Sequence, residues 1–230
     1  MKVTCILPAY GRHDATLALI PRLLDPKVAG LPLSDYELVV VCNAEPALAE
    51  RIKREMPDAR VIMSARNIGY WRALKVGTQK ANGYLVVNLA NDLLPGYHWL
   101  RKCLSAFEGT FRDGVGLVGL NDGVRTDQSA HFMIAKALLE SWYGQDYWPI
   151  VYAHSFGDAE ICDRARAIEK YVVAPYAVML HNHVYNGAPD DIVYQEGRAT
   201  MMSDKSLYDA RKANAYQAVN PNLPPQKQGG

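Results

Sequence analysis

The sequence lacks the marks of several large protein classes. Cysteine is scarce and shows no C-x-x-C spacing, so no disulfide framework is predicted for Cys5, Cys42, Cys103 and Cys162. Reduced core thiols are the simpler interpretation of Cys5 and Cys42, which lie in apolar runs, and a cytoplasmic location is expected. No apolar stretch reaches 18 residues, and the first apolar run, residues 3–7, is too short for a signal peptide.

Several nucleotide-binding and catalytic motifs are also missing. Neither G-x-G-x-x-G after the first predicted strand nor G-x-x-x-x-G-K-[ST] is present, which disfavours a dinucleotide-binding Rossmann domain and a P-loop. The absence of G-x-S-x-G excludes a nucleophile elbow. A net charge of +1 gives no overall basic field for nucleic acid, and no internal repeat is visible.

The most informative segment that is present is GYLVVNLAND, residues 83–92. An apolar run of this kind is typical of a strand buried on both faces of a parallel sheet. Asp92 then follows the strand at its carboxyl end, where open α/β sheets bind ligands. A carboxylate there can hold a divalent cation, and the cation can hold a phosphate. Residues 93–96 are predicted to turn the chain away.

The first ninety residues alternate between strand and helix patterns. The predicted strands are 3–7, 36–41, 60–63 and 84–89, and the predicted helices are 15–24, 46–56 and 70–81. This alternation predicts a parallel sheet in a three-layer α/β fold, and right-handed crossovers would bring all the strand ends to one edge.

The rest of the chain has a less regular pattern. Helices are predicted at 97–107, 158–167 and 207–218, and strands at 115–120, 131–134, 171–173 and 177–180. The chain is polar from residue 189 onward, and residues 220–230 are predicted to be disordered.

Polar residues follow each predicted strand of the first half. Tyr10 and Arg12 follow the first, Asn43 follows the second, and Gly69 lies just past the third. An aromatic ring and a guanidinium can stack a base and contact phosphate, although both are also ordinary loop residues. Gly69 permits close backbone approach at a helix start, where anions bind favourably.

Taken together, these segments resemble a family-2 glycosyltransferase of the GT-A fold. The matching segments are LPAYGR (7–12), RNIG (66–69), ND (91–92), PGYHWL (95–100), FGDAEICDR (156–164) and His181. The resemblance implies a Rossmann-like three-layer α/β/α domain with a mainly parallel sheet and a smaller acceptor-side subregion. Residues 1–183 would form this domain, with a nucleotide-binding half (1–100) and an acceptor half (101–183), and 184–219 would be an extension packed on it.

The resemblance also implies the chemistry, which is transfer of one sugar from a nucleotide-diphosphate sugar, most simply a UDP-sugar, with inversion. Asp92 and His181 would bind Mn²⁺ or Mg²⁺. Asp158 would be the general base, with Glu160 as its rival. The residues implied to hold the nucleotide are Pro8, Tyr10, Arg12, Asn43, Arg66, Asn67, Gly69 and Asn91.

The acceptor is expected to meet the aromatic-rich segment 128–156, with His131 and Trp148 as candidate contacts. A glycan hydroxyl is the first expectation. A hydroxylated base in DNA is the alternative, for which a basic flank is available in Arg198, Lys205, Arg211 and Lys212.

Structural interpretations stay open beside these roles. Asp92 and Asp158 could be helix N-caps, and His181 and His183, which would share one side of a strand, could be ordinary strand-end residues. Ala90 and Gly157 stand where relatives carry polar or acidic residues, which leaves open a domain that binds nucleotide without turnover. Cys42 and Lys75 depart from the family pattern as well.

Overall fold

The computed structural model describes residues 2–123, 125, 128–184 and 187–216, which form an α/β fold around one mixed sheet. The strands are β1 Val3–Ala9, β2 Tyr36–Asn43, β3 Ala59–Ser64, β4 Leu85–Asn88, β5 Leu93–Pro95, β6 Leu117–Asn121, β7 Phe132–Ala135 and β8 Tyr171–His181. The helices are α1 His13–Leu24, α2 Pro26–Ala29, α3 Pro46–Glu55, α4 Tyr70–Gln79, α5 Trp99–Thr110, α6 Lys136–Tyr143, α7 Gly157–Ala167 and α8 Ile192–Ala213, with a 3₁₀ turn at Gly144–Asp146. The predicted disordered tail lies outside the described residues.

The sheet has the strand order β3-β2-β1-β4-β7-β6-β8-β5. Parallel pairs join β3 to β2, β2 to β1, β1 to β4 and β6 to β8, so the parallel first half is confirmed. β7 runs antiparallel to both of its neighbours, and β5 runs antiparallel to β8. Every residue of β1 and β4 is buried, which is the burial that their apolar runs predict.

Two predictions about strands were wrong. Leu93–Pro95 does not turn the chain away but forms β5, which pairs with the end of β8 and places Leu93 opposite His181. The two strands predicted at 171–173 and 177–180 are one strand, β8, whose register with β6 shifts between Ala174 and Val178. Pro175 lies in that interval, and proline has no N–H for the ladder, so an irregularity there is expected.

Three helices also differ from the prediction, and the first is the short α2, Pro26–Ala29, which was not predicted. α6, Lys136–Tyr143, was not predicted, because residues 128–156 were interpreted only as an aromatic acceptor segment. The terminal helix was predicted to begin at residue 207, whereas α8 begins at Ile192 and is 22 residues long. The polar composition hid the helix because only a few of its residues are buried.

Cysteine usage agrees with the sequence. All four cysteines are free and buried, and Cys5 and Cys42 are core thiols on β1 and β2 as predicted. Burial raises the pKa of the Cys42 thiol to about 11, so the thiol is protonated. Among the residues that the structure describes, no helix is long and apolar enough to cross a membrane.

A buried ion pair anchors the carboxyl-terminal end of α8 on α7. Glu160 is fully buried, and Arg211 of α8 donates two hydrogen bonds of 2.7 Å to its carboxylate. Arg164, Tyr143 and Tyr152 donate to the same carboxylate, at 3.0, 3.0 and 2.7 Å. Burial alone would raise the pKa of Glu160, but these donors, led by Arg211, hold it below its ordinary value.

A second buried carboxylate fixes the middle of α8. Asp204 is 3% exposed and accepts backbone N–H bonds from Ala153, His154 and Ser155, at 2.9, 2.8 and 2.8 Å. Three backbone donors to one carboxylate hold the loop before α7 against α8. Two buried polar anchors therefore hold α8 on the rest of the fold.

Replacing Glu160 with glutamine is expected to lower the free energy of unfolding by about 3–5 kcal/mol, because it leaves the Arg211 guanidinium buried without a counter-charge. Glu50→Gln, at an exposed pair with Lys53, should cost less than about 1 kcal/mol. Because the folded pKa of Glu160 is depressed, the wild-type advantage should be complete above the unfolded pKa of about 4.3 and vanish as pH falls through the folded value. Denaturant titrations of the three proteins at several pH values measure this, and equal midpoints for Glu160→Gln and wild type would refute the anchor.

Candidate active site

A cleft of about 770 Å³ opens where the carboxyl ends of β1, β2 and β4 meet, and we call it the strand-end cleft. Most of the site residues predicted from sequence line it: Pro8, Tyr10, Arg12, Asn43, Asn67, Gly69, Asn91, Asp92, His131, Asp158 and His181. Those that follow β1, β2 and β4 come together because these parallel strands end on one edge of the sheet. Their functional roles stay predictions.

Three predicted site residues lie elsewhere. Trp148 is buried in the core, where it stacks on Phe132 and donates a hydrogen bond from Nε1 to Thr78 Oγ1 at 2.7 Å. The prediction of Trp148 as an acceptor contact was therefore wrong. Glu160 is buried in the anchor described above, so it cannot reach a substrate proton and is wrong as a rival base. Arg66 is exposed and is not among the residues that line the cleft.

Asp92 lies between β4 and β5 and is the electrostatic centre of the cleft. Its side chain is 7% exposed, and its Oδ2 accepts hydrogen bonds of 2.8 Å from Arg12 Nη1 and from the Tyr194 hydroxyl. His181 Nε2 lies 3.3 Å from the same oxygen. Burial would raise the pKa of Asp92, but His181 and Arg12 outweigh it and hold the pKa well below its ordinary range. Asp92 is therefore ionised at neutral pH.

Among the residues that the structure describes, two buried atoms in this region have no hydrogen-bond partner. They are Asp92 Oδ1 and His131 Nε2. His131 Nδ1 lies 3.3 Å from the Asn88 carbonyl oxygen, and an N–H on Nδ1 leaves Nε2 as an acceptor. Burial, and after it the nearby ring of His181, lowers the pKa of His131 to about 3, so the His131 ring is neutral. Two buried acceptors without donors destabilise the fold unless a ligand or water supplies a hydrogen-bond donor or a cation.

These atoms test whether a divalent cation would fit. A carboxylate oxygen is the ligand that Mn²⁺ and Mg²⁺ favour, and Asp92 Oδ1 is available for one. Among the described residues, however, no group of three or more candidate ligands is assembled. A cation at Asp92 would therefore need most of its ligands from a bound substrate and water, which is how Mg²⁺ is commonly held with phosphates.

Arg12 joins the first loop of the cleft to α8. It has φ of 46°, in the left-handed region, and it precedes α1. Its guanidinium donates to Asp92 and also to both oxygens of Asp191, at 2.6 and 3.1 Å, and lies 4.0 Å over the Tyr194 ring. Asp191 is the N-cap of α8 and accepts a bond from the Tyr194 backbone N–H at 3.0 Å.

The loop ends beside Arg12 are held by side-chain amides. Asn91 Nδ2 donates to the carbonyl of Tyr10 and to Thr16 Oγ1, at 3.2 and 3.1 Å, and so ties the Asp92 segment to the first loop. Asn43 donates to Asn67 Oδ1 at 2.7 Å and accepts from the backbone of residue 68 at 2.8 Å. These contacts fix the backbone of the loops that line the cleft and show why amides recur at the strand ends.

Asp158 lies in the first turn of α7 and lines the cleft. Its side chain is 19% exposed, with Arg125 Nη1 at 3.7 Å from Oδ2. Burial raises the pKa of Asp158 above its ordinary value, and the charge of Arg125 offsets only part of this rise. A carboxylate with a raised pKa that faces a cleft has the properties of a general base.

Packing explains the glycine that precedes Asp158. A Cβ atom on Gly157 would lie 2.4 Å from Cζ2 of Trp71, which donates to the His154 carbonyl at 2.9 Å. Trp71 is 3% exposed and cannot move aside. The missing acid at this position therefore reflects close packing of α7 on α4, and it does not remove the carboxylate of Asp158.

The sequence interpretation missed the contribution of α8 to the cleft. Val193, Tyr194, Gly197 and Met201 line it, and Tyr194 bonds directly to Asp92. The available signal was Asp191 immediately before the apolar residues 192–194, which is an N-cap pattern. Tyr70 also lines the cleft and was not predicted, because nothing in its local sequence distinguishes it from a core residue, whereas His154, another lining residue, lies in the segment 128–156 that was predicted for the acceptor side.

Comparison with known proteins agrees with this architecture. The sequence model described as Glycosyl transferase family 2 matches residues 4–156, well over half of the chain. Glycosyltransferase AglE of Haloferax volcanii is 26% identical over 123 residues, which cover 52% of this chain and 38% of that protein. This chain therefore spans about two fifths of that relative.

Solved glycosyltransferases share the fold. The mannosyltransferase PcManGT from Pyrobaculum calidifontis, in complex with GDP-Man and Mn²⁺, superposes with a TM-score of 0.67 at 18% identity over 96% of this chain and 66% of its own. S. aureus TarS 1–349 with UDP-GlcNAc gives 0.60 at 18% identity over 78% of this chain and 57% of its own. The predicted GT-A fold, with its mainly parallel sheet, is thereby confirmed. The chain belongs to glycosyl transferase family 2.

Proposed function

We propose that the chain transfers one sugar from a nucleoside-diphosphate sugar to an acceptor hydroxyl with inversion, in the strand-end cleft. The observation that carries the proposal is the pairing of two carboxylates in one cleft. Asp92 is ionised and has one oxygen without a partner among the described residues, and Asp158, which lines the same cleft, has a raised pKa. These are the properties that a cation-assisted leaving group and a general base require.

Asp92 and His181 would hold Mn²⁺ or Mg²⁺, with Asp92 contributing its unpartnered Oδ1. A bound cation would neutralise the charge that develops on the leaving diphosphate. PcManGT contains Mn²⁺ with its donor, which supports the same assignment by similarity of fold. Arg12, already at Asp92, adds a fixed positive charge on this side of the cleft.

Asp158 would accept the proton of the acceptor hydroxyl as that oxygen attacks the anomeric carbon. The new carbon–oxygen bond forms while the bond to the diphosphate breaks, and its electron pair leaves with the diphosphate. One direct displacement inverts the anomeric centre and needs only one base, so the burial of Glu160 leaves the scheme intact.

Tyr10 is proposed to stack on the base, with the loops held by Asn43 and Asn67 around the nucleoside. A uridine nucleotide is the first candidate, in keeping with the UDP-GlcNAc bound by TarS, and a guanosine nucleotide, as in PcManGT, is the second. His131, with its Nε2 unpartnered, is the proposed contact for an acceptor or sugar hydroxyl.

Two other hypotheses are not favoured. The basic flank proposed for DNA is neutralised, because Arg198, Lys205, Arg211 and Lys212 each pair with a carboxylate. The hypothesis of a domain without turnover depended on Ala90 and Gly157, and the packing of Gly157 against Trp71 gives that glycine a structural reason.

Asp92→Asn is expected to abolish the Mn²⁺-dependent part of the thermal stabilisation by UDP or GDP, because an amide oxygen is a far weaker ligand than a carboxylate. Asp209→Asn, at an exposed ion pair of α8, should keep it. Melting curves with nucleotide alone and with nucleotide plus Mn²⁺ separate the metal effect from a general loss of stability. Unchanged metal dependence in Asp92→Asn would contradict the assignment.

Asp158→Asn is expected to keep the dissociation constant of the nucleotide and lose turnover by about 10²–10⁴, since a general base contributes that much to the rate. Release of nucleoside diphosphate from the donor sugar, with water as acceptor, measures turnover without knowledge of the natural acceptor. Asp113→Asn, an exposed carboxylate paired with Lys170, is the control. Full turnover in Asp158→Asn would make this residue only part of the first turn of α7.

Arg125→Met is expected to move the acid limb of the pH–rate profile to higher pH. Arg125 lowers the pKa of Asp158, so its removal raises that pKa further, and a base must be ionised to act. Arg54→Met, which removes an exposed guanidinium from α3, should leave the limb in place. A limb that stays in place, or moves to lower pH, would show that Asp158 does not set the profile.

A further inference from the structure

One guanidinium holds the amino end of α8 over the cleft. Arg12 lies between two carboxylates, Asp92 from the sheet edge and Asp191 from α8, and bonds to both. The Arg12 side chain is 12% exposed, whereas Asp191 is 34% exposed and so remains accessible to water. α8 is thus connected to the ionised centre of the cleft through a single cation and through the hydroxyl of Tyr194.

The contact between Arg12 and Asp191 has the geometry of anion recognition. Two guanidinium nitrogens meet the two oxygens of one carboxylate, at 2.6 and 3.1 Å, and the same fork fits two oxygens of a phosphate. Nearby, the buried Asp92 Oδ1 and His131 Nε2 lack partners within the described part of the chain, which independently indicates that a ligand belongs at this end of the cleft.

We propose that Asp191 occupies, on Arg12, the place of the donor's diphosphate, so that Arg12 is a diphosphate-binding residue and Asp191 its internal competitor. A diphosphate beside Arg12 would otherwise face both carboxylates across a few ångströms, and like charges in a partly buried site repel strongly. Donor binding then requires that Asp191 release Arg12, and Asp191 thereby sets the affinity for the donor. This inference rests on the proposed function.

Asp191→Asn isolates the charge of this residue. Asparagine caps a helix as well as aspartate does, so the bond from the Tyr194 N–H can be kept. Asp191→Ser, another good cap without charge, guards against an effect of the amide itself. The matched control is Asp190→Asn, which removes the same charge one residue away from a pair with Arg198.

The variants are expected to bind UDP, GDP and inorganic pyrophosphate about five- to tenfold more tightly than wild type, because a charge-assisted bond to Arg12 no longer competes. Isothermal titration calorimetry in the presence of Mn²⁺ measures the constants. Asp190→Asn should stay within about twofold of wild type. In an Arg12→Gln background the gain from Asp191→Asn should disappear, because Asp191 acts through Arg12.

Each contrary result has a distinct meaning. If the wild type binds the ligands and both Asp191 variants bind them with the same or lower affinity, Asp191 does not compete with the diphosphate. That result overturns this inference and leaves the proposed function standing. An equal gain in Asp190→Asn reduces the effect to net charge, and a gain that survives Arg12→Gln shows that Asp191 does not act on Arg12. Failure of the wild type and every variant to bind any of the three ligands overturns this inference together with the proposed function.

Discussion

The structure depends on a carboxylate that is kept ionised inside the protein. A buried Asp92 without partners would be protonated, because burial favours the neutral form. Arg12, Tyr194 and His181 come from three separate parts of the chain and meet at a single oxygen of Asp92. The entropy lost in ordering these three side chains is offset by their stabilisation of the charge on Asp92. All three contact Oδ2, so Oδ1 has no donor among the described residues. The sheet supplies the position of Asp92, but the helix that follows β8 supplies much of its environment.

α8 connects two electrostatic regions that differ in burial. At its carboxyl end the Glu160–Arg211 pair is 0% and 10% exposed, so separating the two ions would strand a charge in the core. At its amino end the Arg12–Asp191 pair is 12% and 34% exposed, and water can replace one partner at lower cost. The same helix can therefore be fixed at one end and exchangeable at the other without any break in its sequence.

Much of the sheet and of the cleft could be predicted from the sequence, because the responsible signals are local. The apolar runs of β1 and β4 predict strands. Residues directly after parallel strands meet on one edge of the sheet, and on that basis Arg12, Asn43 and Asp92 were predicted to lie together. Trp148 and Glu160 could not be placed, because their burial depends on partners 70 and 51 residues away, Thr78 and Arg211. The predicted α8 was too short because the helix is anchored by polar side chains, which leave no hydrophobic periodicity in the sequence.

The departures from the family pattern follow the same division between local and tertiary causes. Gly157 lies where the resemblance implies an acid, and Trp71 occupies the space that a Cβ would need there, a constraint that arises only when α7 meets α4. With that acid absent, Asp158 has no carboxylate beside it on Gly157, and its pKa is set by burial against the nearby charge of Arg125. The close packing at residue 157 thus bears on the chemistry of the next residue, Asp158, whose pKa depends on burial and on the Arg125 guanidinium, which another part of the chain supplies.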